Sequence, residues 1–245
     1  MEKMSLGKYR AGFFRQIFNH HFSLTPCSSY WPISPLYRNS VSLLNGDAYL
    51  FLQTVGNERQ ACGGSYCNKA EAGAVLELVK KLKAASSTTE WYSVEKIRII
   101  TFYQAQVLLI QRMLSEHGLG QIVVATVDSS QGCEADIVIV SFVRSNDARG
   151  GGTHSAGFLS DDRRLNVALT RAKYQLLCVG NAVGLQNMSG ASTLHALSRD
   201  AHERRSVISD EVLGLYHENT AAVKNGKEKQ QRSSSKGSRK RPKTT

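Results

Sequence analysis

The fold is decided by residues 96–143, KIRIITFYQAQVLLIQRMLSEHGLGQIVVATVDSSQGCEADIVIVSFV. Three runs in this stretch are short, apolar and rich in isoleucine and valine, which predicts β-strands. These runs are residues 96–103, 121–127 and 136–143. Because they are apolar almost without interruption, they are typical of strands that are buried on both faces of a parallel sheet. Residues 104–118 have the periodicity of a helix that ends at Gly118. Its apolar face consists of Val107, Ile110 and Leu114.

Strands and helices also alternate on both sides of this stretch. Residues 47–55 and 174–181 predict two further strands, and residues 182–216 predict a further helical layer. Residues 68–86 predict a helix with Asn68 as its N-cap and Glu71 three residues later, in the capping-box arrangement. The stretch DDRRLNVALTRAK, residues 161–173, predicts another helix, capped by Ser160 or Asp161. Regular alternation of this kind predicts an α/β fold, a three-layer sandwich around a mainly parallel sheet.

Composition and charge exclude some classes of protein. Hydrophobic residues make up 41% of the 245 residues, enough for a core, and no apolar run is long enough for a transmembrane helix. We therefore expect no membrane partner. The five cysteines have no framework spacing and indicate reduced thiols inside the cell. The histidines and cysteines are too scattered for a structural zinc site, so we expect no metal ligands in this chain.

Most of the net charge of +11 lies in the last 22 residues. Residues 224–245 contain nine Lys or Arg and one Glu, which leaves only +3 for the rest of the chain. We expect three regions: a divergent segment at 1–44, a lobe at 45–216, and a basic disordered tail at 217–245. The tail segment SRKRPK, residues 238–243, fits a nuclear import signal or a phosphate-attracting arm, and equally a solubilising tail. We expect the nucleus or the cytoplasm, with the tail favouring the nucleus.

In a parallel sheet, ligands gather at the carboxyl ends of the strands. That rule selects residues 101–106, 126–134 and 180–181. The loop at 126–134, TVDSSQGCE, offers hydroxyls, an amide and a glycine, which suit contacts with sugar and phosphate. An ordinary polar turn has the same composition, so composition alone leaves both interpretations open.

Two sequence blocks resemble helicase motifs when they are read together. Residues 125–146, ATVDSSQGCEADIVIVSFVRSN, and residues 157–181, GFLSDDRRLNVALTRAKYQLLCVGN, closely resemble motifs V and VI of superfamily 1 helicases, in the up-frameshift-like branch with its senataxin-type RNA/DNA helicases. IITFYQAQ, residues 99–106, is similar to motif IV, with Phe102 in place of the usual proline. GSYCNKAEA, residues 64–72, resembles the Ser…Asn…Glu-Ala segment ahead of it. The resemblance covers about residues 45–210.

The resemblance implies the second RecA-like (P-loop NTPase type) lobe of an ATP-dependent helicase, and it assigns roles to particular residues. Arg171 would be the arginine finger on the γ-phosphate, a role in which a guanidinium stabilises developing charge. Arg164 would be the other catalytic residue, coupling the nucleotide to motif V or bracing the cleft. The resemblance also implies ATP contacts and nucleic-acid contacts. The residues that would contact ATP are Gly132, Glu134, Gln106 and Tyr103. The residues that would contact nucleic acid are Thr126 and Ser129.

The phosphate-binding loop G-x-x-x-x-G-K-[ST] does not occur in the sequence. The resemblance therefore implies that Mg²⁺ ligands and the phosphate cradle come from a first lobe, either upstream in the same gene or supplied in trans. Single-stranded RNA or DNA would lie across both lobes. The alternative is a non-catalytic module that binds nucleic acid or protein on a helicase-lobe scaffold. A dinucleotide-dependent enzyme fits less well, because no G-x-G-x-x-G follows the first strand.

Overall fold

The computed structural model describes residues 49–86, 94–145 and 156–209. The strands are β1 (Tyr49–Gln53), β2 (Glu58–Gln60), β3 (Tyr66–Asn68), β4 (Ile97–Thr101), β5 (Val123–Thr126), β6 (Ala135–Ser141), β7 (Ala172–Gly180) and β8 (Val207–Ser209). The α-helices are α1 (Lys69–Ser86), α2 (Gln104–Glu116), α3 (Asp162–Leu169), α4 (Ala182–Gln186) and α5 (Ser192–Glu203). Short 3₁₀ turns occupy Cys62–Gly64, Val94–Lys96, Asp128–Ser130 and Gly157–Ser160.

Six strands form one sheet in the order β5-β4-β6-β7-β1-β8, and every neighbouring pair in it is parallel. The prediction of an α/β fold with a mainly parallel sheet is therefore confirmed. All strands of this sheet end at the same side, which we call the carboxyl edge. They begin at the opposite side, which we call the amino edge.

Helices cover both faces of the sheet, which makes three layers. On one face, α1 and α2 pack against Leu50, Ile99 and Ile139. On the other face, α3, α4 and α5 pack against a second apolar cluster, which includes Phe51 and Val140. Because β-strand side chains alternate between faces, the long apolar runs supply both clusters at once. Within the described residues, no helix is long and apolar enough to cross a membrane.

The C-terminal end of α2 and the N-terminal end of α3 lie at residues that the sequence predicts. Gly118 has φ 66°, and the amide of Leu119 donates to the carbonyl oxygen of Leu114 at 2.8 Å, so this glycine ends α2 as expected. Asp161 caps α3 by accepting hydrogen bonds from the backbone amides of Arg163 and Arg164. The sequence had left Ser160 and Asp161 as equal candidates for this cap, and the structure selects Asp161.

Two local predictions were wrong, and one hairpin was missed. The helix predicted at 161–173 ends at Leu169, and the residues from Ala172 onward enter strand β7 because they pair with β6 and β1. Gly63 and Gly64 lie in the turn that connects β2 and β3, and these two short strands, which pair as an antiparallel hairpin, were not predicted. The helical layer predicted at 182–216 includes strand β8, which pairs with β1.

The capping box at the start of α1 forms only in part. Asn68 Oδ1 accepts from the backbone amides of Ala70 and Glu71 at 3.1 and 3.2 Å, as an N-cap does. The reciprocal bond from the Asn68 amide goes to Gln106 Oε1 at 2.9 Å, because the Glu71 carboxyl group points into the protein interior instead.

Candidate functional site

The predicted site residues divide between the two edges of the sheet. Glu134 directly precedes β6 and Arg171 directly precedes β7, so both lie at the amino edge. Strands β6 and β7 pair from their first residues, and the amide of Ala135 donates to the carbonyl oxygen of Arg171 at 3.1 Å. Thr126 ends β5 at the carboxyl edge. The strand-end rule placed residues 126–134 together at the carboxyl ends, whereas Glu134 lies at the amino edge because the loop crosses the sheet to reach the start of β6.

Arg171 has a guanidinium group with unused hydrogen-bonding capacity. Its Nε donates to the carbonyl oxygen of Val167 at 3.1 Å, and its Nη2 donates to Thr170 Oγ1 at 3.1 Å. These contacts fold the side chain against the C-terminal turn of α3, whose carbonyl groups favour a cation. In the described part of the chain, no carboxylate lies within ion-pair distance of it. Since a guanidinium has five N–H donors, several remain available to an anion.

Gly132 and Glu134 flank this region on the chain segment that leads into β6. Gly132 is exposed and has φ 77°, a left-handed conformation that favours glycine. A Cβ atom at this position would meet nothing within 4 Å, so the backbone conformation, and not crowding, accounts for the glycine. Glu134 is exposed, and its carboxylate is open to solvent. The segment therefore offers accessible backbone and one acidic side chain at the amino edge.

Thr126 and Ser129 form a small hydroxyl pair at the carboxyl edge. Their Oγ atoms lie 2.8 Å apart, and the Ser129 amide donates to Thr126 Oγ1 at 3.3 Å. The buried Ser130 donates its hydroxyl to the carbonyl oxygen of Thr126 at 2.8 Å, which ties the turn to the end of β5. Ser129 is exposed, so a preformed turn presents its hydroxyl to solvent.

Arg164 lies at the carboxyl edge, on the first turn of α3. It forms a bidentate ion pair with Asp128, with Nε to Oδ1 at 3.0 Å and Nη2 to Oδ2 at 3.2 Å. Its guanidinium carbon also lies 4.6 Å from the centre of the Phe158 ring. These contacts connect the loop after β5 to α3. The neighbouring Arg163 is exposed.

Gln106 and Tyr103, the two candidate residues of motif IV, are both buried in this structure. Gln106 is fully buried: its Oε1 accepts from the Asn68 amide, and its Nε2 donates to the Asn68 carbonyl oxygen at 3.2 Å and to Ser141 Oγ at 3.1 Å. Tyr103 is 3% exposed and packs between the rings of Tyr66 and Phe158. Burial raises the pKa of the Tyr103 phenol, although the nearby Arg144 guanidinium opposes this shift. Both residues lie on the carboxyl side of the sheet, away from Arg171.

Sequence reasoning missed a second polar cluster on this side. Arg144, which is 7% exposed, donates from Nε to Glu58 Oε2 at 2.9 Å, and the same oxygen accepts from the Ser145 amide at 2.8 Å. The Arg144 guanidinium lies 4.5 Å from the centre of the Tyr66 ring. These contacts fasten the β2–β3 hairpin to the chain that leaves β6. The local sequence carried no signal for them, because Glu58 and Arg144 are far apart in the chain.

Among the described residues, no three His, Cys, Asp or Glu side chains are grouped closely enough to hold a metal ion. The cysteines described are unpaired, and burial raises the pKa of the Cys178 thiol far above its usual range.

Comparison with known proteins identifies the family of this chain. The profile of an AAA domain matches residues 26–183, which is more than half of the chain. Human probable helicase senataxin is 34% identical over 184 residues, 74% of this chain. Regulator of nonsense transcripts 1 from Caenorhabditis elegans is 40% identical over 144 residues, 56% of this chain. An uncharacterized ATP-dependent helicase from Methanocaldococcus jannaschii is 41% identical over 140 residues, 57% of this chain.

The matched regions are small parts of these relatives. They cover 6% of human senataxin, 12% of the Caenorhabditis elegans protein and 19% of the Methanocaldococcus jannaschii helicase. The α/β fold with a parallel sheet, the motif V and VI blocks, and the family match over residues 26–183 agree with one another. The chain belongs to the AAA-domain family of up-frameshift-like and senataxin-type superfamily 1 helicases.

Proposed function

We propose that this chain is the C-terminal RecA-like lobe of an ATP-dependent RNA/DNA helicase. Its amino edge faces ATP held by a first lobe, and its carboxyl side contributes to a track for single-stranded nucleic acid. The relatives named as helicases support ATP-dependent chemistry for the complete protein. The assignment of this chain to one lobe rests on motifs V and VI together with the lack of a phosphate-binding loop in its sequence.

The observation that carries the proposal is the state of the Arg171 guanidinium. Arg171 is anchored to the end of α3 by Val167 and Thr170, and it has no carboxylate partner among the described residues. The end of the preceding helix holds the Arg171 side chain in place and leaves several N–H donors free. The guanidinium can therefore bind a phosphate group that a first lobe holds. Arg164 differs, because Asp128 already neutralises it. Arg171 is therefore the catalytic residue of this lobe, and Arg164 braces motif V against motif VI.

The chemical groups at the amino edge suit ATP. The free donors of Arg171 suit a phosphate, the open backbone at Gly132 allows close approach, and the exposed Glu134 carboxylate suits a ribose hydroxyl. Gln106 and Tyr103 are left out of this contact because they are buried on the carboxyl side. Bound ATP supplies the phosphoanhydride whose hydrolysis drives translocation. Mg²⁺ ligands would come from the first lobe, since no metal-binding cluster occurs among the described residues.

Nucleic acid fits the turn at Thr126–Ser129. The exposed Ser129 hydroxyl and the adjacent Thr126 hydroxyl are neutral donors of the kind that contact phosphate and sugar oxygens. Contacts of this type read the backbone and carry no sequence information, as a translocating enzyme requires.

ATP hydrolysis tests the proposal. The purified 245-residue chain should not hydrolyse ATP, with or without single-stranded RNA or DNA, because it has no phosphate-binding loop. A helicase that joins this lobe to a first lobe with a phosphate-binding loop should hydrolyse ATP. In that enzyme Arg171→Ala should lower turnover by about 10³-fold or more while nucleic-acid binding persists. Arg171→Lys should restore little, because lysine lacks the planar fork of donors.

Lys173→Ala is the matched control, since Lys173 is an exposed cation two residues away on β7. It should keep turnover near the wild-type rate. Normal turnover of Arg171→Ala would remove the arginine-finger assignment, and nucleic-acid-stimulated turnover by the lone chain would remove the assignment to a second lobe.

The alternative function is a non-catalytic nucleic-acid-binding module, and the net +8 of residues 224–245 favours it. Binding through this segment should weaken steeply as salt increases, because phosphate contacts release counterions. If the alternative is right, replacing its nine Lys and Arg by Gln would abolish both binding and function in the cell, whereas Arg171→Ala would leave function in the cell unchanged. The nuclear location suggested by residues 238–243 stays a prediction, which imaging of a tail-deleted variant would test.

A further inference from the structure

One buried carboxyl group has no part in the proposed site. Glu71, in the first turn of α1, is fully buried. Its Oε2 accepts from Ser141 Oγ at 2.7 Å and from the Val143 amide at 2.8 Å, and its Oε1 accepts from Asn68 Nδ2 at 3.4 Å. No cationic side chain lies within ion-pair distance of it among the described residues. A carboxyl group placed in this way is costly to ionise.

The backbone held by Glu71 is in an unusual conformation. Val143 has φ 71°, a left-handed conformation that is unfavourable for a β-branched residue. Its amide donates to Glu71, and its carbonyl oxygen accepts from Asn68 Nδ2 at 3.2 Å. Both polar groups of this strained residue are therefore bound by the start of α1. Strain of this kind persists only where surrounding contacts enforce it.

The residues after Val143 form the second polar cluster described above. Arg144 donates to Glu58 and packs against the Tyr66 ring, and the Ser145 amide donates to the same Glu58 oxygen. The direction in which Arg144 leaves the sheet depends on the turn at Val143. Glu71 is therefore connected to the β2–β3 hairpin through one backbone turn.

We propose that Glu71 is a positioning residue: while its carboxyl group carries a proton, it holds the left-handed turn at Val143 and through it the contact between Arg144 and Glu58. Loss of that proton strengthens the hydrogen bonds that Glu71 accepts, but it leaves a buried charge without a cationic partner in the described part of the chain, and this larger cost favours opening of the turn. This inference is independent of the ligand that the lobe binds, because neither the turn nor the hairpin includes Arg171, Gly132 or Ser129.

The surroundings of Glu71 set the pH range over which this happens. Burial raises its pKa to about 8, and the hydrogen bonds from Ser141 and Val143 oppose that rise. Glu58, the charged group that faces it from the hairpin, raises the pKa further, and Glu58 is itself paired with Arg144. Helix α2 presents Gln106 to the same network and β7 presents Gly180, and neither of these titrates.

The sign of the pH effect follows from the direction of this shift. Below the ordinary pKa of 4.5, Glu71 is protonated in both the folded and the opened state. Between 4.5 and about 8, the folded state keeps a proton that the opened state releases, so stability falls as pH rises. Above about 8 both states are ionised, and this contribution to the pH dependence ends.

Amide hydrogen exchange of the full chain tests the proposal, with rates corrected for intrinsic exchange. The opening constants of the Val143, Arg144 and Ser145 amides should rise about tenfold per pH unit, relative to those of Glu71→Gln, across the interval up to about 8. Above that pH the two profiles should run parallel. Glu77→Gln is the matched control, because Glu77 lies on the same helix and pairs with Lys80 at the surface. It should reproduce the wild-type profile.

Parallel profiles for the wild type and Glu71→Gln over the whole range would overturn the proposal, because a merely structural glutamate would shift stability without changing its pH dependence. Should Glu71→Gln not fold, Ser141→Ala decides the matter. It removes a donor that favours the ionised carboxylate, so the pH at which the dependence ends should move upward. An unchanged end point in Ser141→Ala would equally overturn the proposal.

Discussion

Arg164 and Arg171 lie at opposite ends of α3 and have different kinds of partner. Arg164 is bound by the Asp128 carboxylate at the carboxyl edge, whereas Arg171 is bound by the Val167 carbonyl oxygen and the Thr170 hydroxyl at the amino edge. Since eight helical residues span about 12 Å, α3 connects the two edges. Asp128, in the loop after β5, binds Arg164 in the first turn of α3, and Ala135, the first residue of β6, binds the carbonyl oxygen of Arg171 just beyond the other end of α3. The proposed nucleic-acid and nucleotide contacts are thus connected through α3.

Asp128 opposes phosphate binding at the carboxyl edge. Its exposed carboxylate adjoins Ser129 and occupies the guanidinium of Arg164. We predict that Asp128→Asn strengthens binding of single-stranded RNA or DNA by roughly two- to fivefold at low salt, which corresponds to a surface charge interaction of about 0.5–1 kcal/mol. Fluorescence anisotropy with a labelled oligonucleotide measures this, and the gain should fade as salt screens the charges.

Asp136→Asn is the matched control for that experiment. Asp136 lies near the amino edge and pairs with Lys96 at 3.6 Å, so its replacement also frees a cation. Affinity should then stay close to the wild-type value. Equal gains from both variants would mean that net charge alone controls binding, and the track at Thr126–Ser129 would lose its support.

Gly132 is required for its backbone conformation. With φ 77° and open space around its Cβ position, Gly132→Ala should lower the free energy of unfolding by about 1–2 kcal/mol through strain alone. Gly73→Ala provides the opposite case: Gly73 lies within α1 and also has open space around its Cβ position. It should raise the free energy of unfolding by about 0.8–1 kcal/mol, because alanine favours a helix. Urea denaturation compares both variants with the wild type.

The two variants are expected to change the free energy of unfolding in opposite directions although neither Cβ atom meets a neighbour. The comparison therefore separates the effect of backbone conformation from that of steric crowding. If Gly132→Ala proved neutral, the left-handed conformation at 132 would not persist in solution. A nucleotide contact based on the open backbone there would then have no structural basis.

The sheet and its helices were accessible from sequence because their signals are local. Apolar runs predict the central strands, and periodicity predicts α1 and α2, since burial of one face produces the pattern directly. Strand β8 and the β2–β3 hairpin were missed because each of these strands has only three residues and is stabilised by pairing with distant chain. Local propensity carries little information about elements that depend on such contacts.

Candidate site residues could be proposed from the sequence only where they match a helicase motif. The resemblance to motifs V and VI selected Arg171 and Gly132 as candidates, but it did not show that they lie at the amino edge, which depends on the register of β6 and β7. Glu71 was read only as a helix cap, because its partners Ser141 and Val143 follow about 70 residues later in the chain. A buried polar network has no local signature when its members come from different elements.

The resemblance and the structure indicate different roles for Gln106. The resemblance implies a contact with the nucleotide, whereas the structure shows a fully buried side chain. Its amide satisfies both backbone groups of Asn68 and the Ser141 hydroxyl inside the protein. Gln106→Leu should therefore lower the free energy of unfolding by about 2 kcal/mol or more, since buried polar groups left without partners cost about 1–3 kcal/mol each. Gln104→Leu, at an exposed position of the same helical turn, should stay within about 0.5 kcal/mol of the wild type in urea denaturation. If Gln106→Leu kept wild-type stability while the complete helicase lost affinity for ATP, the nucleotide contact suggested by motif IV would be right. In that case the buried position of Gln106 would not represent the state that binds ATP.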